Sequence, residues 1–193
     1  MAMPAQHTEW TVDMVRALPD DGNRYEVIDG ELFVTPAPSV AHQRAVLELA
    51  LLVAPYVRAH RIGEALIAPA DVIVYGPRKF VQPDLFVVPL VNGAPMRAWT
   101  EVGRLLLAVE MLSPSTRHTD HGRKRSLYRE KAVPEYWIVD IDERTIERWR
   151  PDDSPVELLT ESLQWGPDED VPPLVIDLPS YFDRVSGQTP PPR

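Results

Sequence analysis

Two apolar runs in the middle of the chain most constrain its fold. They are VQPDLFVVPL at residues 81–90 and RLLLAVEMLSPST at residues 104–116, and each contains one carboxylate, Asp84 in the first and Glu110 in the second. Strands that are apolar at nearly every position lie in sheets that are covered on both faces. A carboxylate buried there costs several kcal/mol unless it is protonated, paired with a cation or bound to a metal ion. The two acids therefore need a physical explanation.

Helical and strand patterns surround these runs. One helix begins at Thr8 or Thr11, a core helix begins at Ser39, and a third covers residues 117–131. The predicted strands are a hairpin around Asp29-Gly30, single strands at 64–76, 80–88 and 104–112, a second hairpin at 135–151, and a short strand near 156–159. A Pro-rich acidic loop and a last element at 176–185 follow. This order predicts an α/β (α+β) fold, a mixed sheet flanked by helices, in one domain at residues 1–187 with a flexible tail at 188–193.

The composition restricts the kind of metal site and the location of the protein. The 193 residues include no Cys, which excludes disulfides and thiolate ligands, so a metal would be held by oxygen or His ligands, as Mg²⁺ or Mn²⁺ prefers. The N-terminus lacks the basic and apolar regions of a signal peptide, and no apolar run approaches the roughly 20 residues needed to span a membrane. We therefore expect a cytoplasmic protein with no membrane contact.

Charge is distributed unevenly along the chain. The formal net charge is −9, but residues 151–193 hold nine acidic and two basic residues, which leaves only −2 for residues 1–150. Residues 117–131 hold six basic and two acidic residues. A basic segment directly after the Glu110 strand is compatible with a nucleic-acid partner, although the total charge argues against one. The acidic C-terminal part is either a homodimer surface or a solubilising one.

The two acids and the basic helix form a candidate site. Alternation places Asp84 and Glu110 each on a defined face of its strand, so the two project from one sheet edge if the strands pair. Two carboxylates there would bind a divalent cation that activates water and neutralises a phosphate. Asp120, Lys124 and Tyr128 recur every four residues and share a helix face. Lys124 would position or deprotonate the attacking water and stabilise the oxyanion. Three further residues are predicted to hold neighbouring phosphates: Arg123, Arg125 and Arg129.

Several strings resemble those of one protein family. They are YEVIDGELFVTPAPSVAHQ, VQPDLFVV, LAVEMLSPSTRHTDHGRKRSLYREKAVPEYWIVD and FDRV. They resemble the Uma-two family, a bacterial group within the PD-(D/E)XK nuclease superfamily, which has the restriction-endonuclease-like fold. The resemblance is close over residues 25–140 and looser beyond them. It implies a metal-dependent endonuclease that acts on DNA or RNA.

The resemblance also implies roles for individual residues. Asp84 and Glu110 correspond to the metal ligands, and the backbone carbonyl of Met111 completes the site. Leu112 stands where the superfamily has its lysine, so the resemblance implies that Lys124 takes over from the following helix. We expect that replacing Lys124 removes activity and leaves the fold intact. Other polar positions of the family pattern are matched by Glu26, Glu31, His42, Asp71 and Asp120, with Glu26 or Glu31 supporting the metal from the hairpin.

Structural interpretations compete with these roles. Asp84 follows a proline and would serve as a turn or cap residue, Glu110 would pair with Arg or Lys, and Lys124 would be a solvated helix residue. His42 would brace its helix. Four aromatic residues are predicted to pack in the core or an interface: Tyr136, Trp137, Trp149 and Trp165. Two other functions stay open, a catalytically silent binding module on the same fold and a metal-dependent hydrolase of a small phosphoester.

Overall fold

The computed structural model describes residues 9–70, 73–74, 76–113, 116–151, 155–167 and 170–188. The helices are α1 (Val12–Arg16), α2 (Val40–Ala59), α3 (Arg117–Thr119), α4 (Arg125–Glu130) and α5 (Leu178–Ser186), with a 3₁₀ turn at Trp99–Glu101 and a π-helical segment at Asp120–Lys124. The strands are β1 (Arg24–Ile28), β2 (Glu31–Thr35), β3 (Gly63–Ile67), β4 (Ile73–Val74), β5 (Lys79–Val81), β6 (Leu85–Pro89), β7 (Leu107–Met111), β8 (Tyr136–Asp140), β9 (Thr145–Trp149), β10 (Glu157–Leu159), β11 (Ser162–Trp165) and β12 (Leu174–Asp177).

A six-stranded mixed sheet is the centre of the fold. Its strand order is β10-β9-β8-β7-β6-β3, with β7 and β8 parallel and the other neighbours antiparallel. Every residue of β7 is buried, as its apolar sequence predicts for a central strand. The predicted α/β (α+β) fold with a mixed sheet and flanking helices is therefore confirmed.

Alternation along β7 divides the core between the two faces of this sheet. Leu107, Val109 and Met111 pack with residues of α2 and α5 on one face. Ala108 packs with residues of α4 on the other face, which Glu110 shares because it is two positions further on. The acid therefore lies on the face covered by the basic helix.

A second, smaller sheet also covers the Glu110 face. Its strand order is β2-β1-β5-β4. The predicted hairpin of β1 and β2 is confirmed, with its turn at Asp29-Gly30, where φ is 53° and 84°. Positive φ at both turn positions matches the right-handed twist of the two strands, and Asp-Gly adopts it readily. β1 pairs along its edge with β5, and its residue Glu26 accepts a hydrogen bond from the N–H of Gln82, which lies between β5 and β6.

The long helix α2 begins where the sequence predicts. Ser39 caps it, with the Ser39 hydroxyl accepting a hydrogen bond from the His42 N–H at 3.1 Å. By length and composition alone, α2 is apolar enough to cross a membrane, which differs from the expectation of no such run. Six of its residues, including Leu49 and Val53, are buried, mainly against the central sheet, and the core helix of a globular protein passes the same test.

Two parts of the predicted strand pattern are wrong. The sequence predicts one strand in each of the segments 64–76 and 80–88, but each segment contributes to both sheets. Segment 64–76 contains most of β3 of the central sheet and β4 of the smaller sheet, and segment 80–88 contains most of β6 of the central sheet and part of β5 of the smaller sheet. The acidic Pro-rich loop is bordered by an unpredicted antiparallel pair, β11 and β12. Alternating apolar residues indicate an extended chain but not its neighbour, so a break between two sheets leaves little trace in the pattern. Of the predicted tail, Gln188 is hydrogen-bonded to Asp183, and 189–193 lie outside the described residues.

Candidate active site

The site forms where β6 and β7 lie side by side. Their register pairs Leu85 with Val109, so Asp84 and Glu110 are the next residues in line. Asp84 lies directly before β6 and Glu110 within β7, and they are 2% and 1% exposed. The pairing assumed from the sequence is thus present, and both carboxylates are buried at one end of this strand pair.

Three donors hold Asp84. Arg24 Nη1 lies 2.6 Å from Oδ1, His42 Nε2 lies 3.1 Å from Oδ2, and the Met111 N–H donates to Oδ2 at 2.8 Å. Burial alone would raise the pKa of Asp84, but the contact with His42 and the charge of Arg24 outweigh it and hold that pKa well below its usual range. Asp84 is therefore ionised at neutral pH.

Lys124 occupies the centre of the remaining acids. Its Nζ lies 2.9 Å from Glu110 Oε1, 3.0 Å from Glu26 Oε2 and 3.7 Å from Asp120 Oδ1, and all four side chains are almost fully buried. Although close, Nζ makes no hydrogen bond of good geometry with any described residue. The π-helical turn at Asp120–Lys124 keeps both of its charged ends facing the sheet. Such wide turns occur often at functional sites.

Two donors, one hydroxyl group and one backbone N–H, orient the two glutamates. The Tyr128 hydroxyl donates to Glu110 Oε1 at 3.1 Å, and the Gln82 N–H donates to Glu26 Oε1 at 2.7 Å. Asp120, Lys124 and Tyr128, which the sequence places on one helix face, therefore all reach the acid cluster formed by Glu26, Asp84, Glu110 and Asp120.

The acid cluster is short of positive charge. Its four carboxyl groups meet two permanent cations, Lys124 and Arg24, so full ionisation would leave two buried negative charges unbalanced. Burial raises the pKa of Glu110 well above its ordinary value despite Lys124, with neighbouring carboxylates adding to the effect. The pKa of Asp120 is also raised, again chiefly by burial, which outweighs the opposing charge of Lys124.

Lys124 is a cation at neutral pH. Burial favours its neutral form, but Glu110, Glu26 and Asp120 together outweigh burial and raise its pKa above the ordinary value. A protonated ammonium can stabilise negative charge but cannot accept a proton. The structure therefore favours the electrostatic role predicted for Lys124 over the role of a base. Because Lys124 is fully buried between acids, its replacement should also cost stability, which argues against the expectation that the fold is unaffected.

The donor set of the acid cluster fits a divalent cation. Carboxylate oxygens are the ligands that Mg²⁺ and Mn²⁺ prefer, and the surplus of two negative charges equals the charge of one such ion. Among the described residues, no three His, Asp or Glu side chains are already gathered around one point in a way that could hold a metal ion. Lys124, Arg24 and His42 instead occupy the carboxylates, so a cation would have to displace part of this pairing.

A family model matches residues 12–179, most of the chain. It is the Uma2 family, described as "Putative restriction endonuclease". The chain belongs to this family. The resemblance to Uma-two strings in the sequence is thereby confirmed, and the relation supports a nuclease function at the level of the family. Proteins of the restriction-endonuclease-like class generally use divalent metal ions and act on nucleic acid.

A solved structure shares the fold. It is the crystal structure of a putative nuclease belonging to DUF820 from Anabaena variabilis, with a TM-score of 0.72 and 19% sequence identity. The match covers 91% of this chain and 99% of that chain. At this identity it establishes the fold of the Uma2 protein. No curated protein matches the chain.

The other predicted residues are spread over several places. Glu31 does not reach the acid cluster; it is exposed on β2 and pairs with Arg123 at 3.0 Å. Arg125 lies on another part of the helix, with its guanidinium 3.5 Å from the ring centroid of Trp149. Asp71 lies outside the described residues. Of the three arginines predicted to hold phosphates, Arg123 therefore lies apart, on the side of the β1–β2 hairpin, whereas Arg125 lies on the side of β9.

Of the two hairpin acids proposed to support the site, Glu26 is the one that reaches it. Arg24 was missed by the sequence reasoning, although it lies two positions before Glu26 on β1 and therefore on the same strand face. The structure places the N–H of Met111 against Asp84, and the role of its carbonyl as a ligand stays a prediction. Tyr136, Trp137 and Trp165 are buried in the core, as predicted.

Proposed function

We propose that this Uma2 protein is a metal-dependent endonuclease that hydrolyses phosphodiester bonds in DNA in the cytoplasm. The observation that carries the proposal is the buried acid cluster with two more carboxylates than cations. Apolar side chains of similar volume at these positions would make the core as stable as the charged groups do, or more stable. A cluster that costs stability is expected where chemistry needs it.

In this proposal Asp84 and Glu110, with the carbonyl of Met111, would hold Mg²⁺ or Mn²⁺. The bound cation would supply an activated water molecule and neutralise charge on the phosphate. Arg24 and His42 fix the orientation of Asp84, and the Tyr128 hydroxyl fixes that of Glu110. Lys124 keeps its proton, and its ammonium stabilises the negative charge that develops on the phosphate oxygens during attack.

A cleavage assay tests the proposal. Supercoiled plasmid, single-stranded DNA and RNA are incubated with wild type and with Glu110→Gln in the presence of Mg²⁺, Mn²⁺ or EDTA. We expect wild type to cut DNA with a divalent metal only, and Glu110→Gln to be inactive. Glu143→Gln, an exposed change of the same kind, serves as the control and should match wild type. Cleavage by Glu110→Gln at the wild-type rate would remove Glu110 from the mechanism.

A second candidate, a catalytically silent binding module, is favoured by one observation. Lys124 bridges Glu110 and Glu26 at 2.9 and 3.0 Å, as a purely structural ion pair would. Calorimetric titration with MnCl₂ separates the two candidates. A nuclease site should bind Mn²⁺ in wild type and lose that binding in Asp84→Ala and Glu110→Ala, whereas a silent module should show the same weak heat in all three proteins.

A further inference from the structure

A small depression lies between α4 and the strands β8 and β9 of the central sheet. It is lined by Arg125, Tyr128, Arg129, Val133, Tyr136, Trp149, Arg150 and Pro151. Its side chains combine three guanidinium groups with three aromatic rings. Arg150 is also paired with Glu135 at 3.3 Å and with Glu157 at 3.6 Å, so Arg125 and Arg129 contribute most of the positive charge. The enclosed volume is about 20 Å³, enough for one atom group the size of a water molecule, such as a single oxygen of a phosphate that stays mostly outside. This combination selects a small anionic group.

The hydrogen-bonding groups of this depression include an unused donor. The Trp149 indole N–H is buried and has no acceptor among the described residues. Arg125 lies over the Trp149 ring at 3.5 Å and occupies that face, so a nucleobase cannot stack there. Arg129 is exposed at the rim. A buried donor without an acceptor costs free energy comparable to a lost hydrogen bond, so an anion oxygen that reaches this N–H would stabilise the site.

The depression is separate from the acid cluster. Tyr128 lies between the two, with its hydroxyl at Glu110 and its ring in the lining of the depression. Tyr136 has the same position, with its hydroxyl donating to the Asp120 carbonyl at 3.2 Å. A ligand here therefore sits one aromatic ring away from the acids and makes no contact with them.

We propose that this depression binds a backbone phosphate of the nucleic-acid strand, away from the bond that is cut, and anchors the strand. The inference rests on the proposed function for the identity of the strand. Arg guanidinium groups are suited to phosphate recognition, because their fork of donors matches phosphate oxygens. Such a contact positions a strand without reading its sequence.

The test measures binding without cleavage. A fluorescein-labelled single-stranded oligonucleotide is titrated in EDTA with wild type, Arg129→Ala, Trp149→Phe and the control Arg16→Ala, which removes an exposed helical arginine on α1. Anisotropy reports the affinity, and tryptophan emission reports contact with Trp149. We expect Arg129→Ala to bind roughly tenfold more weakly at about 0.1 M salt and to lower the salt-dependence slope by about one. Arg16→Ala should bind like wild type.

Three other results would each contradict the anchor, the proposed phosphate-binding role of the depression. Equal weakening by Arg129→Ala and Arg16→Ala would show that net charge alone controls binding. Wild-type affinity in Arg129→Ala would show that the depression is not used. If inorganic phosphate quenches Trp149 and the oligonucleotide does not, the site takes a free anion instead of a strand.

The anchor and the nuclease proposal fail separately. Loss of oligonucleotide binding in Arg129→Ala, in a protein that cuts nothing with any metal, would support the anchor and contradict the nuclease. Normal metal-dependent cleavage by an Arg129→Ala protein with unchanged affinity would support the nuclease and contradict the anchor.

Discussion

The two acids at the centre of the site should respond in opposite ways to the same chemical change. Asp84→Asn and Glu110→Gln each replace a carboxylate oxygen by an amide group, at neighbouring positions of one strand pair. The environment of Asp84 favours its charged form, whereas that of Glu110 favours its neutral form. In the absence of metal, the first change should destabilise the protein and the second should stabilise it.

The magnitude for Asp84 follows from its contacts. Arg24 lies 2.6 Å away, which corresponds to a gross attraction of about 6 kcal/mol at an effective dielectric constant of about 20. Arg24 is 17% exposed and regains part of its hydration when Asp84 is neutral. Hydrogen bonds to charged groups contribute about 1.5–3 kcal/mol each. We therefore expect Asp84→Asn to lower the free energy of unfolding by about 2–4 kcal/mol.

The magnitude for Glu110 depends on pH. Its folded-state pKa is raised, so the folded protein holds this proton more tightly than the unfolded chain does, and stability falls as pH rises above the ordinary carboxyl range. Gln carries no such cost. Glu110→Gln should raise the free energy of unfolding by about 1–3 kcal/mol at pH 8 and by less than about 1 kcal/mol at pH 5.

Urea unfolding in EDTA at pH 5 and pH 8 measures both effects, with Glu143→Gln as the exposed control. The cost of Asp84→Asn should be the same at both pH values, because the lowered folded-state pKa of Asp84 places its contribution fully above the ordinary Asp range. Only the gain of Glu110→Gln should change with pH. A shift of the same sign in both amide variants would refute the assignment of opposite environments.

Three further changes test the surroundings of the site. Lys124→Met removes the cation shared by three buried carboxylates and should cost about 3–5 kcal/mol in urea unfolding at pH 8, with a smaller loss at pH 5 as carboxyl groups take up protons; an unchanged midpoint would contradict the network. Tyr128→Phe removes the hydroxyl donated to Glu110 and should cost about 1 kcal/mol in the same assay, with no change meaning that the contact is unimportant. Burial lowers the pKa of His121, but Glu147 at 2.9 Å outweighs it and raises that pKa overall, so Glu147→Gln should lower the pKa in a ring-proton NMR titration, and a higher pKa would refute the pairing.

The sequence alone predicts much of the arrangement of residues at the centre of the site. Alternation in the two apolar runs is enough to put Asp84 and Glu110 on defined faces, because side chains in a strand alternate strictly. The four-residue spacing of Asp120, Lys124 and Tyr128 is enough to put them on one helix face. These relations are local, and local geometry depends mainly on the order of residues.

Tertiary structure alone decided which charges meet. The sequence left Glu26 and Glu31 as equal candidates, because a hairpin pattern does not say which face packs inward; β5 and β6 select Glu26. Arg24 became the partner of Asp84 through a contact 60 residues apart in sequence. Arg123 and Arg125 point to different neighbours, Glu31 on the hairpin and Trp149 on β9, because their helix lies between these two elements. Pairings of this kind depend on packing between distant segments, and the same packing, by excluding water, sets the pKa of each acid.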